Sequence, residues 1–507
     1  MSGGSSALNA TRRAAELAAL AAGEVVDVLV VGGGVTGAGI ALDAASRGLS
    51  VALLEARDLA FGTSRWSSKL VHGGLRYLAK GDVGLAHESA VERGILMTST
   101  APHLSRSLPQ LIPLHSQVSR GTATFLRAGL RAGDVLRRAA RTPTALLPGP
   151  RRVSAQEALA LAPGLRTSDL RGGLLSFDGQ LIDDARLVVA LARTAAGLGA
   201  KILTRTPVVG LSGTAAEIRD GARLVEVRAR SVINAAGVWA GHLVPSVRLR
   251  PSLGTHLVVS GPALGLGATA VTVPVPGSRS RFVFLLPQRD GLVYVGLTDE
   301  PFDGEIPDEP VAPQSDVDFL LLVASSVLAR PLTPADVLGS YAGLRPLLDA
   351  PGRSADLSRK HAVLRSPDGV LTVVGGKLTT YRRMAQDAVD AAVAAAGLTA
   401  PESRTRYLSL VGAAPRAVLS RVDAPERLVA RYGTEAPRVA ALDPTPVADG
   451  LEITAGEVQW AVQREGAMDA DDVLHRRTRI GLVPANLTAA QAKVTAVVAQ
   501  TLRVSNA

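Results

Sequence analysis

Cysteine is absent from these 507 residues. That excludes disulfides, thiolate metal sites and cysteine nucleophiles. Histidine is scarce as well, with eight residues and no close pair at ligand spacing, so no metal site is expected. Six of the 55 basic residues are lysine, so the formal net charge of +10 rests almost wholly on arginine. Phe, Trp and Tyr together make up 3% of the chain, leaving few rings for stacking, and no nucleic-acid module is legible. No uninterrupted apolar run approaches the roughly 18 residues of a spanning helix. Residues 1–24 hold a polar head and a short Ala/Leu helix carrying Glu16, without an apolar signal core or a cleavage site. This segment is expected to be a loose, flexible tail and the protein to be cytoplasmic. The basic balance fits a solvated surface, an anionic membrane surface or an acidic substrate.

Against these absences stands one dense motif. Residues 27–40 read Asp-Val-Leu-Val-Val-Gly-Gly-Gly-Val-Thr-Gly-Ala-Gly-Ile, and after a helix-like stretch residues 51–55 read Val-Ala-Leu-Leu-Glu. A buried strand, a glycine turn, a helix and a second buried strand ending on an acid form a dinucleotide-binding unit. Gly32 permits the tight turn, Gly34 lets the backbone approach a pyrophosphate, and Gly37 lets the helix lie close on the strand. The phosphates then face a helix N-terminus, where free N–H groups and the helix dipole favour negative charge. Glu55, 23 positions after Gly32, is placed to accept hydrogen bonds from ribose hydroxyls.

The same texture returns at 185–204 and 222–232, and again at 369–397, so one nucleotide domain assembled from separated segments is expected. Short alternating runs at 281–286 and 292–296 suggest an antiparallel sheet between them. Residues 401–507 show helical periodicity, as at 453–464. The segment 104–152 carries nine arginines and one acid, Asp134. A helix over 125–138 puts Arg127, Arg131, Asp134 and Arg138 on one face and Phe125, Ala132 and Leu136 on the other. That is either an ordinary surface helix or one resting on anionic headgroups.

Residues 56–78 read Ala-Arg-Asp-Leu-Ala-Phe-Gly-Thr-Ser-Arg-Trp-Ser-Ser-Lys-Leu-Val-His-Gly-Gly-Leu-Arg-Tyr-Leu. This closely resembles the signature of FAD-dependent glycerol-3-phosphate dehydrogenases, the respiratory enzymes of glycerol catabolism. Val-Ile-Asn-Ala-Ala-Gly-Val-Trp-Ala at 232–240, Ser-Tyr-Ala-Gly-Leu-Arg-Pro-Leu at 340–347 and Val-Val-Gly-Gly-Lys-Leu-Thr-Thr-Tyr at 373–381 agree with it. So does Asp-Val-Leu-His-Arg-Arg-Thr-Arg at 472–479. The resemblance implies an α/β chain: a discontinuous Rossmann-type FAD-binding domain (25–103, 171–244 and 338–400), an antiparallel-sheet substrate domain (104–170 and 245–337) and a C-terminal helical domain (401–507). It implies non-covalent FAD, oxidation of sn-glycerol 3-phosphate to dihydroxyacetone phosphate by hydride transfer to flavin N5, and a membrane quinone as electron acceptor. A homodimer and a peripheral contact with the cytoplasmic face of the membrane are expected with it.

Site residues follow from the same motifs. Gly32, Gly34, Gly37 and Glu55 belong to the adenine half of FAD, and Val208, after Pro207, offers backbone to the adenine. Thr63, Ser64, Ser67 and Ser68 put hydroxyls beside the pyrophosphate or the flavin edge; without the flanking match they would read as a solvated loop. Ala236 and Gly237 line the cofactor from the second segment. Gly375 and Gly376 let backbone approach a flat ring, and Lys377 stabilises reduced flavin or contacts substrate oxygens. A phosphate dianion needs forked, permanently charged donors; the resemblance assigns Arg76, Arg345 and Arg359, with the Tyr77 hydroxyl beside them. Lys360 stands where the family commonly has an acid. His256, in Leu-Gly-Thr-His-Leu-Val-Val, resembles the family's active-site histidine and is the candidate base, with Arg345 or Lys377 sharing proton handling; a satisfied core histidine is the competing reading. Rival functions are an oxidase of the same architecture using oxygen, and an amino- or hydroxy-acid oxidoreductase, whose carboxylate substrate needs one arginine fork.

Overall fold

The computed structural model describes residues 4–74, 81–278, 281–349 and 360–506. Two sheets organise them. In the first, strands Leu371–Val374, Arg223–Asn234, Val26–Val31, Val51–Leu54 and Lys201–Leu203 lie side by side and parallel. Ala362–Arg365 adds an antiparallel edge, and the hairpin Val208–Ser212 and Ala215–Asp220 extends from Arg223–Asn234. The central strands are covered on both faces, which is why residues 28–31 and 51–54 read as unbroken apolar runs. Helices Val35–Ser46, Asp184–Gly197 and Tyr381–Ala396 supply residues to one shared core. Asp183 opens the second helix by accepting the N–H groups of Ala185 and Arg186, and Gly397 closes the third in the left-handed conformation. The separated segments thus assemble into one nucleotide domain.

The N-terminal segment differs from the loose tail expected of it. Asn9 caps helix Ala10–Ala21, and Leu20 is buried against Val26, Leu29 and Leu203. Arg13 donates to the Thr204 carbonyl at 2.6 Å, and Glu16 accepts the Ile202 N–H at 3.0 Å. Two leucines, Leu17 and Leu20, make the helix's apolar contact; the rest is polar docking onto a sheet edge, which leaves little periodicity to read.

The second sheet runs Glu300–Pro301, Ser252–Ser260, Leu292–Gly296, Phe282–Pro287, Ala270–Pro274, Ser105–Pro113, Gly173–Leu181 and Leu70–Val71. Val337–Arg345 pairs along Ser252–Ser260, and Arg151–Val153 pairs with Gly173–Leu181. It is antiparallel except where Ala270–Pro274 meets Ser105–Pro113. Three of its strands, Leu70–Val71, Gly173–Leu181 and Val337–Arg345, fall in ranges expected for the FAD domain. A strand's own residues do not name its partner; register against distant strands decides it. Helix Gln314–Ser325 covers one face through Leu320, Leu321, Val323 and Ala324. The other face carries the site.

Helices Glu426–Tyr432, Ala455–Arg464 and Pro484–Asn506 build the C-terminal part. It is held to the nucleotide domain by buried arginine forks. Arg476 and Arg477 grip Asp58 at 2.7–2.9 Å, and Arg186 meets Glu465 at 2.6 Å.

Candidate functional site

A cavity of about 1080 Å³ runs between the two sheets. Gly32, Gly34, Glu55, Val208, Thr63, Ser64, Ala236 and Gly237 line it, and so do Gly375, Gly376, Lys377, His256 and Arg345. At the turn, Gly32 has φ +111°, and a Cβ there would lie 2.5 Å from the Ala235 carbonyl. Gly37 does not line the cavity. A Cβ on it would meet the Gly32 carbonyl at 1.9 Å, so its absence lets the helix close on the turn. Glu55 is knitted into the same turn. Its two carboxylate oxygens accept the N–H groups of Gly33 at 2.6 Å and Arg57 at 2.8 Å. Burial pushes this carboxyl above its ordinary range, opposed by those two N–H groups.

Along the second sheet the side chains lie flat. His256 stands opposite Gly296 on one neighbouring strand and Tyr341 on the other. Ser252 stands opposite Arg345, and Gly254 opposite Gly343. Residues two apart share a face, so Ser252, Gly254 and His256 join Tyr341, Gly343 and Arg345 on one surface. The glycines are sockets. A Cβ on Gly254 would sit 2.1 Å from Nη2 of Arg345, one on Gly296 2.3 Å from Cδ2 of His256, and one on Gly343 2.6 Å from Cβ of Trp66. Strand glycines of this kind mark close approach of another group.

Arg345 donates to Ser252 Oγ at 3.3 Å, to Asp299 Oδ1 at 3.1 Å and to the Thr298 carbonyl at 3.2 Å. Its fork is fixed at the cavity wall. His256 is buried, with Nε2 2.8 Å from Ser68 Oγ and its ring 4.7 Å from that of Tyr341 at an interplanar angle of 9°. Nδ1 is buried and has no hydrogen-bond partner among the described residues. Burial, then the charges of Lys69 and Arg345, hold the imidazole well below its ordinary pKa, so the ring is neutral near pH 7.

The hydroxyl loop is used differently from what its sequence suggests. Thr63 donates to the Leu344 carbonyl at 2.6 Å and Ser67 to Asp184 at 2.7 Å. Ser64 Oγ accepts the Val35 N–H at 2.9 Å and so caps the helix that follows the glycine turn. Ser68 holds His256. These side chains line the cavity while their first bonds shape its wall. Lys377 precedes the 3-10 turn Leu378–Thr380 that leads into helix Tyr381–Ala396, and its Nζ donates to Ser89 Oγ at 2.8 Å. Arg76, Tyr77 and Arg359 lie outside the described residues.

The helix expected at 125–138 spans Arg120–Ala139, capped by Ser119. Arg127 and Arg131 are exposed, and Arg138 is exposed and pairs with Asp134 at 2.8 Å. Its apolar face is not simply buried. Phe125, Leu126, Gly129, Leu130 and Ala132 line the cavity, and Phe125 is half in solvent. Although aromatics are scarce, five of the seven phenylalanines (Phe61, Phe125, Phe282, Phe284 and Phe319) line this cavity. Among the described residues no group of three His, Cys, Asp or Glu side chains is placed to hold a metal.

Comparison with known proteins places this geometry. Residues 27–382 match the family described as FAD dependent oxidoreductase, and residues 403–507 match the C-terminal domain of alpha-glycerophosphate oxidase. Glycerol-3-phosphate dehydrogenase 1 of Mycobacterium tuberculosis is 54% identical over 495 residues, covering 95% of this chain and 96% of the relative. The chain belongs to the FAD-dependent glycerol-3-phosphate dehydrogenase family. Glycerol-3-phosphate dehydrogenase 2 of the same organism is 38% identical, covering 90% of this chain and 82% of the relative. The structure of a glycerol-3-phosphate dehydrogenase from Bacillus halodurans complexed with FAD superposes with TM-score 0.76 at 26% identity, covering 98% of this chain and 94% of that one. The cofactor of the family is FAD, and the residues present fit it: the cavity is lined by residues of both sheets, and at the glycine turn a Cβ on Gly34 would crowd Ser64 Oγ at 3.1 Å.

Sequence reading did not single out Gly254, Gly296, Asp299 or Tyr341. The strand glycines were a usable signal, because glycine inside an alternating apolar run asks what lies over it. Asp299 had none; its role depends on a turn that returns it to Arg345.

Proposed function

We propose that this protein oxidises sn-glycerol 3-phosphate to dihydroxyacetone phosphate and passes the electrons to a membrane quinone. One observation carries the reading: a fixed guanidinium fork and a buried neutral imidazole share one sheet face in the wall of the cavity that the glycine turn also lines. When bound, FAD supplies the acceptor for the hydride that leaves carbon 2. The chain's own residues do the rest. Arg345, held by Ser252, Asp299 and the Thr298 carbonyl, takes the phosphate. His256 receives the hydroxyl proton, which its neutral state at pH 7 allows. Lys377 places positive charge at the start of helix Tyr381–Ala396, where the helix dipole adds to it. Arg76, Tyr77 and Arg359 complete the substrate contacts in this reading.

The quinone acceptor is supported by the apolar walls of the same cavity, to which Phe125, Leu126, Phe282, Phe284 and Phe319 contribute. A peripheral contact with the cytoplasmic membrane face is supported by the exposed arginines of helix Arg120–Ala139. No helix among the described residues is long and apolar enough to cross a membrane. A homodimer belongs to the proposal through the family resemblance, and sedimentation velocity reads it directly. The deciding experiment adds sn-glycerol 3-phosphate anaerobically to the yellow holoprotein, with lactate and glycine as controls. Bleaching by the phosphoester alone supports the reading; bleaching by an unphosphorylated acid instead overturns it. Reoxidation by a soluble quinone without peroxide supports the acceptor, and rapid peroxide release in air favours the oxidase.

A further inference from the structure

The side chains beneath His256 are more ordered than a wall requires. Tyr341 presents its ring face to the imidazole and its hydroxyl to the Ser67 carbonyl at 3.1 Å. Trp66 stacks at 5.8 Å from Tyr341, and Tyr294 meets it edge-on at 5.6 Å. Lys69 is fully buried, one of six lysines in the chain, and adopts a left-handed φ of 58°. Such a backbone at a non-glycine residue marks a constraint imposed by its surroundings. Its Nζ donates to Asp184 Oδ2 at 2.9 Å and to the Arg65 carbonyl at 2.7 Å, and lies 5.0 Å from the Tyr341 ring centroid. Asp184 also accepts the Ser67 N–H at 3.0 Å and the Ser67 hydroxyl at 2.7 Å. Lys69, Asp184 and Tyr341 therefore fix the backbone of residues 65–69, and with it Ser68, the partner of Nε2.

We infer that Lys69 and Tyr341 are positioning residues for the oxidation, a platform that fixes the His256 ring through its face and through Ser68. The inference rests on the proposed role of His256 as base. With Nε2–H donating to Ser68 Oγ, Nδ1 keeps a lone pair and has no competing donor among the described residues. The charged and titratable groups around the ring are Lys69 with its partner Asp184, Arg345 with its partner Asp299, and Tyr341. Tyr294 stands behind Tyr341, faced by Arg479, Asp290 and Asp183. Lys69 acts on the imidazole in the same sense as burial, against protonation. Removing its charge exposes the ring to Asp184 and favours the imidazolium; removing the charge of Asp184 does the reverse.

The test uses holoprotein and anaerobic flavin reduction by sn-glycerol 3-phosphate, followed from pH 5 to 9. Tyr341→Leu should lower the limiting reduction rate about 10- to 100-fold with apparent affinity within about twofold, and Tyr341→Phe should restore most of the rate. Lys69→Met should move the acid limb to higher pH by about one unit. Asp184→Asn, which keeps the lysine, should move it to lower pH and serves also if Lys69→Met does not fold. NMR of histidine-labelled holoprotein should show the His256 titration moving in the same two directions. Variants that fold and keep FAD but leave the limiting rate, the acid limb and the titration unchanged would overturn the inference. His256→Asn separates the two levels. If that change leaves the rate intact, the base assignment falls; if it slows the rate while the platform variants do nothing, the platform alone falls.

Discussion

Gly254→Ala and Gly296→Ala form a matched pair that tests whether the sheet face works as a set of sockets. Each adds one methyl group. At Gly254 the new Cβ would lie 2.1 Å from Nη2 and 2.7 Å from Cζ of Arg345. The displaced atoms end a flexible side chain, so the strand survives and the guanidinium moves. It leaves Ser252 Oγ, Asp299 Oδ1 and the Thr298 carbonyl, which help to aim it. A charge-assisted contact to the phosphate is worth about 1.5–3 kcal/mol, and losing it weakens substrate binding about 10- to 150-fold. At Gly296 the new Cβ would lie 2.3 Å from Cδ2 and 2.8 Å from Cγ of His256. Here the ring tilts away from Tyr341 and Ser68, so the rate of flavin reduction falls, about 10-fold or more, while binding holds within about threefold. Anaerobic titration gives the dissociation constant, stopped flow gives the limiting rate, and flavin absorbance gives FAD content. The socket argument is refuted if Gly254→Ala binds sn-glycerol 3-phosphate like wild type, or if both variants lose rate and affinity in equal measure with FAD retained.

Three further outcomes are expected. Gly37→Ala, whose Cβ would lie 1.9 Å from the Gly32 carbonyl, should yield soluble protein depleted of FAD, checked by the ratio of flavin to protein absorbance. Neutralising Arg127, Arg131 and Arg138 together should reduce binding to anionic liposomes several-fold while sparing dye-coupled turnover, because these side chains lie outside the cavity lining. His103 is buried with its pKa lowered to about 3, by burial first and then by Arg186. The unfolded chain therefore binds the proton more readily, and stability present above pH 6.5 is lost as pH falls toward 3. At pH 5 this amounts to about 2 kcal/mol, which His103→Gln should abolish in urea unfolding compared at pH 5 and 7.5.

Much of the nucleotide half was legible because its signals are local. Gly32, Gly34, Gly37 and Glu55 sit in one strand-turn-helix-strand unit, and backbone sterics fix the meaning of each glycine within about 25 residues. The loop 63–68 lines the cavity, but its bonding was not legible. Thr63 and Ser67 turn to Leu344 and Asp184, partners more than 100 residues away. The docking of the N-terminal helix, expected as a loose tail, escaped notice because a sheet edge and polar contacts, not an apolar stripe, hold it. What the apolar side of helix Arg120–Ala139 faces was not legible, since such a side can line a cavity, as Phe125 does, as well as fill a core.

Taken by itself, the order of residues determined the parallel nucleotide sheet, its glycine turn, the helical C-terminal part and the family, because each depends on spacing within a short stretch or on a run of matched motifs. Only the folded chain decided which sheet Val337–Arg345 joins, that Gly254 and Gly296 are hollows for Arg345 and His256, and that Lys69 and Tyr341 lie under the imidazole. Those relations are cross-strand and cross-domain. They arise from register and close approach between segments whose separation along the chain carries no record of their distance in space.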